Sequence, residues 1–137
     1  MGMSRKFRKA GEAGFTLIEL MVVMLIIGVL MAIAVPNYVA AVKAAKESVL
    51  REDLHVMRQA IQAYTMDKQK APQSLQDLVD AGYLRQIPTD PMTRSTDTWV
   101  TDQSDAMSSV DQTEPGIDDV HSGDEDNGSN GQPYSSW

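Results

Sequence analysis

From Phe15 to Val35 every position except Thr16, Glu19 and Gly28 is apolar. As a helix rising 1.5 Å per residue, such a run spans about 30 Å, the thickness of a bilayer's hydrocarbon core. It is apolar on all sides, so it is not the surface helix of a soluble fold. The rhythm then changes. Val39, Val42, Leu50, Leu54, Met57, Ile61 and Tyr64 recur mostly at three- and four-residue spacing, with Lys46 breaking the series between Val42 and Leu50. Lys43, Glu47, Arg51, Asp53, Arg58 and Gln62 fall between them. This is the pattern of an amphipathic helix with one apolar stripe. Glu47 and Arg51 stand at i,i+4, worth about 0.3–0.5 kcal/mol. Only Pro36 interrupts, and membrane helices tolerate a bending proline. The pattern predicts one long, kinked helix over residues 16–69, ended by Ala71-Pro72.

Ser74-Leu75-Gln76-Asp77 has the form of a capping box opening a short helix, with Gly82 as its C-terminal cap. Leu75, Leu78 and Val79 would face the long helix. Residues 87–91, IPTDP, hold two prolines and predict an extended loop. Residues 98–101, 108–110 and 117–122 are candidate strands, and Glu114-Pro115-Gly116-Ile117 suits a type II turn. Residues 123–133, GDEDNGSNGQP, read as loop or disorder. No internal repeat is present. The fold class expected is α+β: a long N-terminal helix packed on a small antiparallel sheet and a short helix. The apolar total outside the membrane-length run is modest, so the globular part needs the long helix for much of its core.

Charge divides the chain further. Residues 1–14 carry Arg5, Lys6, Arg8 and Lys9 against Glu12, whereas residues 97–137 hold ten Asp/Glu and no Lys or Arg. The formal net charge of the whole is −7. So acidic a body repels phosphates, which argues against nucleic acid as a partner. It suits a soluble surface, a divalent cation or a basic partner. Basic residues before an apolar span stay cytoplasmic, so the remainder is expected outside the cytoplasm. The absence of cysteine excludes disulfides, thiolate metal sites and cysteine nucleophiles. His55 and His121 lack zinc-motif spacing.

Two readings of the N-terminus compete. A secretory signal would use Ala32-Ile33-Ala34 and release a soluble protein beginning at Val35. The apolar run is long for that role, and Glu19 lies inside it, where a carboxylate is costly and normally has a partner. Cleavage after Gly14 supplies one. The new α-amine of Phe15 lies one helical turn from Glu19, within a chain or between chains. Between chains the pair would neutralise both charges in an apolar bundle and fix its register.

Gly14-Phe15-Thr16-Leu17-Ile18-Glu19-Leu20 resembles the type III signal sequence of the type IV pilin and pseudopilin superfamily, and Pro36 resembles that family's helix-kinking proline. The resemblance implies cleavage after Gly14 and N-methylation of Phe15 by a prepilin peptidase. It also implies filament assembly with the apolar helices in the core, where Gly28 and Pro36 permit local bending or melting. Residues 50–91, with Arg51 to Leu54, the Tyr64 region, the short helix led by Pro72 and the Ile87-to-Pro91 loop, resemble the major pseudopilins of type II secretion, the general secretion pathway protein G family. Type IV pilins usually close a C-terminal loop by a disulfide, which this chain cannot form. The expected organisation is a leader (1–14), a membrane and filament-core helix (15–35), its amphipathic continuation (36–70), a periplasmic domain (71–122) and an acidic tail (123–137).

The resemblance further implies a homopolymer in a periplasmic pseudopilus that drives folded exoproteins outward. Minor pseudopilins, an inner-membrane assembly platform and an outer-membrane secretin would be its partners. The protein would be a single-pass inner-membrane protein before assembly, with no enzymatic activity of its own. A motility or DNA-uptake pilin and the soluble periplasmic protein cut after Ala34 remain the alternatives. The family's C-terminal loop binds Ca2+, and Asp118, Asp119, Asp124 and Asp126 are the candidate ligands, among the neighbouring acids Asp111 and Glu125. Asp124-to-Gly128 opens like an EF-hand loop, but Gly128 falls at a ligand position and no glutamate closes it. Met92-Thr93-Arg94 and the ending PYSSW also depart from the family pattern, so a solvated acidic tail stays open as the other reading. Tyr64 and Trp99 are expected in the core, Tyr134 and Trp137 packed back or frayed, and His55 on the helix surface.

Overall fold

The computed structural model describes residue 2, residue 14, residues 16–104 and residues 115–137. Phe15, Asp111, Glu114 and the strand expected at 108–110 lie outside the described residues. The elements in order are helix α1 (Leu17–Lys68), helix α2 (Leu75–Asp80), strand β1 (Val100–Gln103), strand β2 (Ile117–His121) and a 3-10 turn at Tyr134–Ser136. This is the expected α+β, pilin-like architecture. Two compact units are distinguished, one ending at Ala40 and the other comprising Ala41–Trp137.

Within the first unit, Thr16 caps α1. Its hydroxyl accepts from the Glu19 amide at 3.2 Å, and Leu20 N donates to Thr16 O at 3.1 Å. Glu19 therefore occupies the third position of the helix, where a capping motif and the helix dipole both favour an acid. Every residue from Thr16 to Ala40 is exposed. By length and composition α1 can cross a membrane, and Pro36 lies inside it.

The second unit has one apolar core. Leu50, Leu54, Met57, Ala60 and Ile61 of α1 pack with Leu75 and Leu78 of α2, Leu84, Trp99, Ile117 and Val120 of β2, and Tyr134. Tyr64 packs beside this core and meets Tyr83 edge-on, with ring centres 5.6 Å apart.

α2 is capped at both ends as its sequence predicts. Ser74 Oγ accepts from Asp77 N, and Asp77 Oδ2 accepts from Ser74 N at 3.0 Å, completing the capping box. At the far end Gly82 has φ +84, open to glycine without a side-chain clash. Gly82 N reaches Val79 O and Tyr83 N reaches Leu78 O, which together make a Schellman motif.

β1 and β2 pair antiparallel, with Val100 opposite His121, Thr101 opposite Val120, Asp102 opposite Asp119 and Gln103 opposite Ile117. The register shifts between Asp102 and Gln103, leaving Asp118 as the extra residue of a bulge, turned to solvent. The closing segment, 123–137, is ordered irregular structure: an antiparallel bridge joins Asn127 to Pro133, and Tyr134 is buried.

Candidate functional site

The N-terminal assembly candidates are arranged along the first unit. Gly14 is exposed, Glu19 lies in the first turn of α1, and a Cβ built on Gly28 would meet nothing within 4 Å. An apolar helix surface open to solvent over its whole length satisfies itself only in a bilayer or against other apolar helices.

The second unit contains a polar site that periodicity did not single out. Glu47 is 3 % exposed. Its Oε1 accepts from Ser129 N at 2.9 Å and from Tyr134 OH at 2.8 Å, and its Oε2 accepts from Ser129 Oγ at 2.7 Å. The Ser129 hydroxyl, against the opposing effect of burial, then the Tyr134 hydroxyl, the Ser129 amide and the charge of Lys43, hold the Glu47 carboxyl below the usual glutamate range. Burial and then the hydrogen bond and charge of Glu47 push Tyr134 up to about 12.

Three turns along α1, Arg58 makes the complementary set. Its Nε donates to Asp119 Oδ1 at 2.5 Å, and its Nη2 to Val120 O at 3.0 Å and to the main-chain oxygen of Trp137 at 2.6 Å. Burial favours the neutral form of Asp119. The Arg58 hydrogen bond, the Val120 amide and the charges of Arg58 and His121 together outweigh it and lower the Asp119 carboxyl. Arg51 lies over the Trp137 ring at 4.5 Å, and Trp137 meets Tyr134 edge-on. A Cβ at Gly128 would stand 2.4 Å from that indole, so only glycine admits the ring.

A third polar group closes the loop of residues 87–95. Asp90 is fully buried. It accepts from Ser122 Oγ at 2.5 Å and from Met92 N at 2.8 Å, while Trp99 Nε1 donates to Pro88 O at 2.7 Å.

Of the four candidate calcium ligands, Asp118 is exposed on the bulge, Asp119 is held by Arg58, and Asp124 Oδ1 accepts from Asp126 N at 2.9 Å. No three of them bring ligand oxygens within 4.8 Å of one another; among the described residues the cluster that close is Asp102, Asp119 and His121. There His121 Nε2 stands 2.9 Å from Asp102 Oδ2 and 3.5 Å from Asp119 Oδ2, between two carboxylates that pair across the sheet. His55 is exposed and meets Gln59, as a surface histidine does.

Sequence reasoning missed Glu47, Arg58 and Asp90. The signal for Glu47 was present, because residues 47, 50, 54, 57 and 61 form one unbroken helical series. The series looked interrupted because Lys46 stands between Val42 and Leu50, and its buried neighbour Glu47 is itself charged.

A membrane-length apolar helix capped by Thr16 and an α+β domain with one core define a type IV pilin-like subunit. Residues 9–35 match the prokaryotic N-terminal methylation motif. The type II secretion system core protein G of Klebsiella pneumoniae is 35% identical over 96 residues, covering 58% of this chain and 69% of that protein. Its counterpart in Pseudomonas aeruginosa is 34% identical over 96 residues, 58% of this chain and 68% of that protein. The chain belongs to the type II secretion system core protein G family. The type IV major fimbrial protein FimA of Dichelobacter nodosus is 43% identical over 63 residues, 46% of this chain and 39% of that protein. No solved structure matches significantly.

Proposed function

We propose that this chain is the major pseudopilin of a type II secretion system, a structural subunit without enzymatic activity. The observation that carries the reading is the extent of the match to core protein G, 69% of the Klebsiella pneumoniae protein, against 39% of the fimbrial protein. In this reading residues 1–14 are a cytoplasmic leader. A prepilin peptidase cuts after Gly14 and methylates Phe15. Residues 15–35 first span the inner membrane and then enter the core of a periplasmic homopolymer. The acidic domain stays periplasmic, and lengthening of the filament moves folded exoproteins toward an outer-membrane secretin. Glu19 pairs with a Phe15 amine between subunits, and Gly28 and Pro36 let the helix adapt on entry. An assembly ATPase and platform protein would supply the work.

Intact mass and N-terminal sequencing of the mature protein from native membranes test the first step. N-methylphenylalanine at Phe15 is expected; a start at Val35 would overturn the filament account. Loss of exoprotein secretion on deletion, with no long surface filament at native expression, separates this role from that of a motility or DNA-uptake pilin.

A further inference from the structure

The donor set around the C-terminal segment is the reverse of what a calcium loop needs. Calcium takes six to eight oxygens, from carboxylates, carbonyls and water, turned toward one point. Here residues 128–134 turn hydrogen-bond donors inward, onto an anion fixed in the long helix. Ser129 N, Ser129 Oγ and Tyr134 OH all end on Glu47. The oxygens that could have served a cation end on cations of the same helix. Val120 O and the main-chain oxygen of Trp137 go to Arg58, and Asn127 O to Lys43 Nζ at 3.2 Å. Among the candidate ligand carboxylates, Asp119 is engaged by Arg58, Asp124 by the Asp126 amide, and Asp118 stands apart on the bulge. Among the described residues, Asp118, Asp119, Asp124 and Asp126 do not converge on one point, and the donor set does not fit a calcium ion.

We infer that residues 123–137 are closed onto the long helix by Glu47, Arg58 and Lys43, and that this closure needs no metal. Tethered charges do the work of a diffusible ion. The helix face supplies an acceptor at residue 47 and donors at residues 43 and 58. The segment between Ser122 and Trp137 threads across them, with its carbonyls on the basic groups and its donors on the carboxylate. The segment's start is fixed separately, because Ser122 Oγ donates to buried Asp90 and accepts from Asp124 N at 3.2 Å. Its end is fixed by the Trp137 ring, seated against Gly128 and under Arg51. A buried carboxylate stripped of these donors would be strongly destabilising, so segment and helix hold each other in place.

The inference is read on the full-length protein in detergent micelles and does not depend on what filament the subunit joins. Thermal unfolding is followed by tryptophan fluorescence in calcium chloride and in EDTA. At about 10 mM, roughly tenfold above the dissociation constants of weak extracellular calcium modules, a real site would raise Tm by about 5–10 °C. The expected result is the same Tm in both. Hydrogen exchange then locates the closure. Glu47→Gln should cut protection of residues 126–137 by about tenfold or more, while the amides around Leu54 and Met57 stay protected. Should Glu47→Gln unfold the whole domain, Ser129→Ala, which removes a single bond to Glu47, gives the milder and equally local loss. A calcium-dependent rise in Tm would overturn the inference. So would protection of residues 126–137 left unchanged by Glu47→Gln or, if that variant unfolds, by Ser129→Ala.

Discussion

Glu47 is where a single residue decides most. A buried carboxylate survives only when hydrogen bonds replace its hydration, and three do so here. This gives the domain a pH dependence of definite sign. The folded-state value of Glu47 lies below its ordinary 4.5, so its contribution is fully present above that value and is lost as pH falls through the folded value. Asp119, also lowered, acts in the same direction from its ordinary 3.8. Asp53 runs the other way: burial first, then the charges of Asp90 and Glu52, raise its carboxyl, so acid relieves rather than adds strain there. Two groups against one predict a Tm that holds at neutral pH and falls below about pH 4.5. In Glu47→Gln the acid limb of a Tm-versus-pH curve should be shallower than in the wild type. Parallel curves would remove Glu47 from the explanation.

At the scale of elements, local chemistry and tertiary context contributed differently. The long helix was legible from periodicity to within a residue at each end, residues 16–69 expected and Leu17–Lys68 found. α2 was legible because its signals are local: a serine and an aspartate three apart, and a glycine where φ turns positive. Replacing Ser74 with alanine removes one half of the capping box and should lower stability by about 1 kcal/mol, a fall in Tm of roughly 4–8 °C for a domain of this size. Chemical denaturation of Ser74→Ala with an unchanged midpoint would show that tertiary packing alone holds α2. The sheet was legible only in part. The expected strand at 98–101 is found two residues later, at Val100–Gln103, because Trp99 is drawn into the core by its bond to Pro88 O. The bulge at Asp118 carried no sequence signal. Nor did the joining of Ser122 to Asp90, 32 residues away. The ordered closing segment was hidden for the same reason. Its composition is that of a loop, and what orders it is a set of partners on α1 more than 80 residues earlier for Glu47 and Lys43.

For the whole molecule, the distribution of charge sets the conditions of assembly. The body is strongly acidic, so subunits repel one another at long range, and polymerisation has to be driven by the apolar helix. Residues 16–40 offer that drive along their full exposed length, but an all-apolar helix specifies contact without specifying register. Glu19 is the one charged side chain in that stretch; an acid at the centre of a membrane helix costs about 2.5–3.5 kcal/mol, less near the helix end where Glu19 stands, and such groups are normally paired. In the proposed pairing, Glu19 gains a counter-charge on leaving the bilayer only where a Phe15 amine awaits it in the filament. Glu19→Ala should insert into the membrane at least as well as the wild type and still be processed at Phe15. Under the proposed pairing, the Phe15 amine would then be left buried without a counter-charge, a loss of about 3–5 kcal/mol per contact. Purified pseudopili or cross-linked ladders should fall below about a tenth of the wild-type yield. Glu19→Gln, which keeps the shape and loses the charge, should fall with it. If either variant, correctly processed, built filaments at the normal rate and register, the apolar surface alone would be guiding the polymer, and Glu19 would keep only its local place in the first turn beside Thr16.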